Sequence, residues 1–334
     1  MKRRTFLTTS ALASSALAFP NIAVQPLFNS TEIETEKPFK ISISQWAFET
    51  DIFGKGRENY KLFKHNLEHN PDAVLQGSMK NTDIIYKAQE LGVSGVDLVS
   101  TMMYSKRDDR KWQRHFSKMA KNEGIQLVCM MADTQTKIGD LNQLKRKQSV
   151  EDHKRWIEAA KGLNCEHIRV NPFGSGTYLQ QLNQCAESLA ELSEFADKTG
   201  IKLTVENHGH PSSNGAWLNM LIELTNHSNL GLFLDFGNFF MGGFNARPRR
   251  WYDETQGILD LAPFTTGVSA KAREVSMDGT ITDVNYDFCT AEVLKHGFKG
   301  WMSAEYAGKD LSNTEGSQAI IKKLRALQKA HSKS

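Results

Sequence analysis

Strand-like apolar runs begin near Ile41, Ser94, Ile125, Glu166, Ile201, Leu230, Thr266 and Gly300, with amphipathic stretches between them. From the second run onward they recur about every 30 to 40 residues, the length of one βα unit. Residues 81–91, 109–122, 150–161, 179–198 and 291–296 read as helices, each stopping at or just before a glycine (Gly92, Gly124, Gly162, Gly200, Gly297), and 315–331 reads as the last. A glycine past the final turn takes the left-handed conformation that closes a helix. Eight such units predict a single (β/α)8 barrel, with a doubly wound open sheet as the alternative. Strand texture decides between them. Open-sheet strands are covered on both faces and read as unbroken apolar runs. Here one face is apolar and the other carries Ser42, Ser44, Arg169, Asn171, Thr204 and Ser303. No G-x-G-x-x-G follows the first run, so a barrel is expected over 40–334, with 51–80 inserted over its mouth.

The start of the chain reads differently. Lys2, Arg3 and Arg4 precede Thr5-Phe6-Leu7, an apolar stretch runs over 11–19, and Ala16-Leu17-Ala18 is a small-residue cleavage pattern. Residues 1–23 therefore read as an export signal resembling the twin-arginine type, with an ordinary secretory signal as the alternative. Residues 24–39 read as a linker, and the expected location is periplasmic. Of 41 Lys and Arg, three leave with the signal, so 38 basic residues face 38 acidic ones. That balance lacks the positive footprint of a nucleic-acid binder. No membrane association is expected once the signal is gone, and a homo-oligomer is left open. Cys129, Cys165, Cys185 and Cys289 form no C-x-x-C and read as buried thiols.

Four of the strands end in charge: Lys202 to Glu206, Gly231 to Asp235, Val268 to Lys271 and Met302 to Glu305. Side chains alternate along a strand, so Glu206 shares a face with Thr204, Lys271 with Ser269, and Glu305 with Ser303. A barrel gathers its C-terminal strand ends into one mouth, where active sites form. Three carboxylates there need protons or a cation to coexist, and a divalent ion with oxygen ligands would supply one.

These segments carry a resemblance. Val205-Glu206-Asn207-His208-Gly209, Leu234-Asp235-Phe236-Gly237-Asn238-Phe239, Gly267-Val268-Ser269-Ala270-Lys271 and Ala304-Glu305-Tyr306 resemble the fifth to eighth strand ends of the sugar phosphate isomerase/epimerase family. Ser44-Gln45-Trp46-Ala47 resembles its first. The resemblance runs from about Ile41 to Gly308 and implies a xylose isomerase-like TIM barrel. It also implies a divalent metal (Mn, Mg, Co or Zn) on Glu206, Asp235 and Glu305. Ser269 stands where many relatives have a histidine ligand, which leaves the fourth ligand open.

The catalytic candidates are then Glu206, Glu305, Lys271 and His208. The substrate-binding candidates are Trp46, Arg169, Asn171, His208, His210 and Asn238, while Asp97 and Asp133 are expected at the ends of the second and third strands. The implied chemistry is metal-dependent proton abstraction beside a carbonyl of a non-phosphorylated sugar, giving an enediolate and then isomerisation or epimerisation. The same enolate chemistry on a 3-keto-glycoside would make a lyase or hydratase. A non-catalytic carbohydrate-binding barrel and a phosphodiesterase like endonuclease IV are the remaining readings.

Overall fold

All eight predicted strands form, and each starts within one residue of its expected position. In the computed structural model, which describes residues 37–243 and 247–332, they are β1 Lys40–Ser44, β2 Gly95–Val99, β3 Gln126–Ala132, β4 His167–Val170, β5 Lys202–Glu206, β6 Leu230–Asp235, β7 Thr265–Ala272 and β8 Trp301–Tyr306. They pair in parallel as a closed barrel, in the order β1-β8-β7-β6-β5-β4-β3-β2. The proposed signal and most of the linker lie outside the described residues.

The helices are α1 Glu49–Phe53, α2 Tyr60–His69, α3 Ile84–Glu90, α4 Arg110–Asn122, α5 Gln143–Gly162, α6 Tyr178–Thr199, α7 Gly215–Thr225, α8 Glu254–Leu261, α9 Tyr286–Lys295 and α10 Asn313–His331. Local chemistry sets several of their ends. Thr177 and Gln180 form a capping box at the start of α6, and Gly200, at φ 76°, closes it. Ser312 and Glu315 cap α10 in the same way.

Three features differ from the sequence reading. Helix α5 begins seven residues earlier than expected, because Asn142 accepts a hydrogen bond from the Lys145 N–H and starts a polar first turn. Helices α7 and α8 carry no glycine stop. Asn226, at φ 45°, closes α7, and a short 3-10 turn over Ala262–Phe264, with Pro263 inside it, follows α8. The polar strand face is also not a wetted one: Ser42, Ser44, Arg169, Thr204 and Ser303 are all buried. The barrel interior is filled by small hydroxyls and ion pairs, while residues such as Leu203, Val205, Leu232 and Leu234 pack outward into the apolar core under the helices.

The segment over 51–80 contains α2 and rests on loops at the C-terminal end of the barrel. Ser105, after β2, donates to Asp72 at 2.6 Å. Gln135, after β3, donates to the Lys64 carbonyl at 3.1 Å, and Asn313, after β8, donates to Asp51 at 3.0 Å. The four cysteines are buried free thiols.

Candidate active site

Ladder register brings the charged strand ends together. On the adjacent strands β7 and β8, Lys271 lies opposite Glu305, and Ser269 lies opposite both Ser303 and Asp235. Directly opposite residues of a parallel pair share a face, so the Lys271–Glu305 contact is set by the sheet rather than by a chance rotamer. Lys271 Nζ is 2.5 Å from Glu305 Oε1 and 3.6 Å from Asp235 Oδ2. Burial works against the ammonium, but Glu305 and then Asp235 outweigh it and hold its pKa above the usual value. Ser269 Oγ donates to Glu305 Oε2 at 3.4 Å.

A second cluster stands across the mouth. Arg169 Nη1 donates to Asp133 Oδ1 at 2.6 Å, and its Nε lies 2.8 Å from Glu206 Oε2 without the alignment of a hydrogen bond. Asp133 also accepts from Trp46 Nε1 at 3.0 Å and from Asn171 Nδ2 at 2.9 Å. Burial opposes the Arg169 charge, yet Asp133 and Glu206 outweigh it and keep the guanidinium fully protonated. Over Trp46 lies Arg57 of the inserted segment, its guanidinium carbon 4.8 Å from the ring centroid and paired with Glu49.

Asn238 joins the two clusters. Its Nδ2 donates to Asp235 Oδ2 at 2.6 Å and lies 3.4 Å from Glu206 Oε1. Asn207 fixes the β6 end, donating to the Asp235 carbonyl and accepting from the Asp235 N–H, both at 2.8 Å. Burial raises the pKa of Asp235, with Lys271 pulling the other way, and pushes Glu206 well above the carboxylate range, with Arg169 opposing. A carboxyl raised in this way holds its proton to a higher pH than a free one.

The loop after β5 carries the histidines. Gly209, at φ 70°, makes the turn, and the His208 and Gly209 N–H groups donate to Ser212 and Ser213 at 3.0 and 2.8 Å. His208 is half-buried, 5.8 Å from the Phe173 ring, and burial followed by the Arg169 and Lys271 charges puts its pKa well below the usual value. Its imidazole is therefore neutral near pH 7. His210 packs edge-on against Phe173 at 4.9 Å and is also lowered by burial.

Asp97 is not at a strand end. It lies mid-strand in β2, opposite Ser44 and Cys129, buried inside the barrel. Sequence reasoning also missed the part played by Asp133, which holds Arg169, Trp46 and Asn171 at once. Arg273, whose Nη1 donates to the Gly237 carbonyl at 3.3 Å, was missed as well. It lies two residues after Lys271, and the period-two rule that found Lys271 would have found it.

The donor set bears directly on the implied metal. Among the described residues no group of three or more His, Cys, Asp and Glu side chains is arranged to hold a metal ion. An ammonium already stands between Asp235 and Glu305, and a guanidinium stands against Glu206. As arranged, the residues do not fit the metal.

A family profile described as xylose isomerase-like TIM barrel matches residues 85–330. Among the curated proteins that match parts of the chain are two relatives. One is a probable endonuclease 4 of Campylobacter concisus, 31% identical over 34% of this chain and 43% of its own length. The other is an inosose isomerase of Halalkalibacterium halodurans, 29% identical over 52% of this chain and 64% of its own length. The chain thus spans less than two thirds of either relative. Among solved structures, a D-tagatose 3-epimerase-like protein superposes with a TM-score of 0.62 at 17% identity, covering 87% of this chain and 99% of that one.

Proposed function

Since the chain belongs to the xylose isomerase-like TIM barrel family, we propose that it is a sugar isomerase or epimerase that moves a proton at the carbon beside a carbonyl of a non-phosphorylated sugar. The observation that carries this reading is the convergence of Glu206, Asp235 and Glu305 with Lys271 and Arg169 at one barrel mouth. The inosose isomerase and the D-tagatose 3-epimerase-like protein support it by their chemistry. The export signal proposed for residues 1–23 favours free over phosphorylated sugars, which are mainly intracellular.

In this reading the substrate carbonyl oxygen accepts a hydrogen bond from Lys271 Nζ. Glu206 or Glu305 takes the proton from the neighbouring carbon. The C–H electron pair becomes the enediolate double bond, and the carbonyl π pair moves to oxygen, facing the ammonium. A preorganised cation at a developing oxyanion is the largest lever such a site has. Protonation of the same carbon from the other face, by the second of the two carboxyl groups, gives epimerisation; protonation of the former carbonyl carbon, with the neighbouring hydroxyl proton passing to the first oxygen, gives isomerisation. Neutral His208 donates to a sugar hydroxyl, and Trp46 offers a ring face beside Asp133.

Solvent deuterium exchange tests this directly. Free and 3-keto sugars are incubated with the protein in D2O and followed by NMR. Exchange at one carbon next to the carbonyl is expected, accompanied by an epimer or isomer. Release of a β substituent instead would assign the lyase form of the same enolate chemistry. No exchange across the panel would refute the proposal.

A further inference from the structure

We propose that Lys271 is the resident cation of this mouth, standing in place of a divalent metal, so that the site binds no metal ion and its carboxylates are balanced by the chain itself. The inference rests on the sugar-enolisation reading only for the location of the reacting carbon. Its basis is the geometry of three strands.

Lys271 enters from β7, between β6 and β8, and its ammonium reaches one carboxylate from each neighbour: Glu305 at 2.5 Å and Asp235 at 3.6 Å. Two carboxylates from flanking strands are the set a shared ion would bridge, and the space between them is filled by a group covalently tied to the strand that separates them. The side chain is 12% exposed. A strongly hydrated ammonium is not kept that deep unless anionic oxygens replace its water, so the carboxylates hold Lys271 as firmly as Lys271 holds them.

The third carboxylate is provided for separately. Glu206 lies against Arg169, whose side chain is 2% exposed and is fixed at its other end by Asp133. An incoming divalent ion would meet Lys271 at contact distance and Arg169 behind Glu206, and like charges at that range repel strongly where water is scarce. On the same face and two residues before Lys271, Ser269 offers only a neutral hydroxyl, already hydrogen-bonded to Glu305. The β7 strand therefore presents a positive charge and a weak ligand where a metal would need an anionic or imidazole donor.

Metal binding without substrate is the test. The full chain is dialysed against chelator, then titrated with Mn2+ and followed by electron paramagnetic resonance, with melting curves recorded in Mn2+, Mg2+, Co2+ and Zn2+. The wild type is expected to bind no Mn2+ at the mouth and to show no metal-dependent rise in Tm. Lys271→Ala and Lys271→Met, checked for fold by circular dichroism, are expected to gain one Mn2+ per chain, bound on the order of tenfold or more tighter than by wild type, because the like charge is gone. Asp235→Asn in the same background should remove that gain. One Mn2+ per wild-type chain, lost in Asp235→Asn, would overturn the proposal. So would folded Lys271 variants with no gain. Because no sugar enters these measurements, they decide the question even if the deuterium panel fails.

Discussion

The mouth contains the same electrostatic unit twice, a cation between two carboxylates, and the two copies are built differently. On the side of β3, β4 and β5, Arg169 lies between Asp133 and Glu206; on the side of β6, β7 and β8, Lys271 lies between Asp235 and Glu305. The arginine is planar and always charged, and its anchor Asp133 is itself held by Trp46 and Asn171. The lysine is a point charge on a flexible stem, with one short contact and one long one. A fixed fork keeps geometry, whereas an ammonium with unequal partners can give one of them up to a substrate oxygen. Similar charge arithmetic can thus serve positioning on one side of a site and reaction on the other.

The largest expected effect is on turnover. Glu305→Gln on the lysine side, removing a proposed proton acceptor, should lower kcat by about 10²- to 10⁴-fold, and it should also lower Tm because Lys271 loses its nearest anion. Asp133→Asn on the arginine side should cost much less in kcat and raise KM. Equal losses in kcat would erase the division between the two sides. Stability should show the opposite order. Arg169→Met leaves the buried Glu206 and the half-buried Asp133 without their cation and should destabilise the fold by about 3–5 kcal/mol in urea titrations. Lys271→Met, nearer the solvent, should cost less, and a larger loss there would invert the comparison.

Asp97 sharpens it further, being a carboxyl inside the same barrel with no ion pair among the described residues. Burial pushes it up from 3.8 to about 7, with Ser303 pulling the other way. The unfolded chain releases this proton near pH 4 and the folded chain keeps it to about 7. Its contribution to stability is therefore complete below about pH 4 and is lost as the pH rises to about 7, on the order of 4 kcal/mol in all. Asp97→Asn should flatten that slope in melts across pH 4–8 and leave the protein more stable than wild type at pH 8. An unchanged slope would reassign the titration. The smallest expected effect is at the rim of the arginine cluster: Trp46→Phe removes one hydrogen bond to Asp133 and should cost about 1 kcal/mol.

Much of this was legible in the chain. Strand starts followed from apolar runs bounded by glycine, and the inward direction of Glu206, Asp235, Lys271 and Glu305 followed from alternation alone. What alternation cannot tell is which cation meets which carboxylate, because the stagger between barrel strands sets that. Glu206 lies opposite Phe233, not Asp235, whereas Glu305 does lie opposite Lys271. Asp133 was harder still, since its importance comes from Trp46 in the turn after β1, Arg169 on β4 and Asn171 just after it. Helices α7 and α8 escaped notice because asparagine and a proline-bearing turn ended them where glycine was sought.

Lys271 belongs to β7 by peptide bonds. Its number at the mouth is one per chain from the moment of synthesis, whatever the surroundings supply. A positive charge of this kind cannot be chelated, exchanged for a neighbouring element or left unloaded in a poor medium, so under the proposed role the charge balance of the mouth is set when the chain folds.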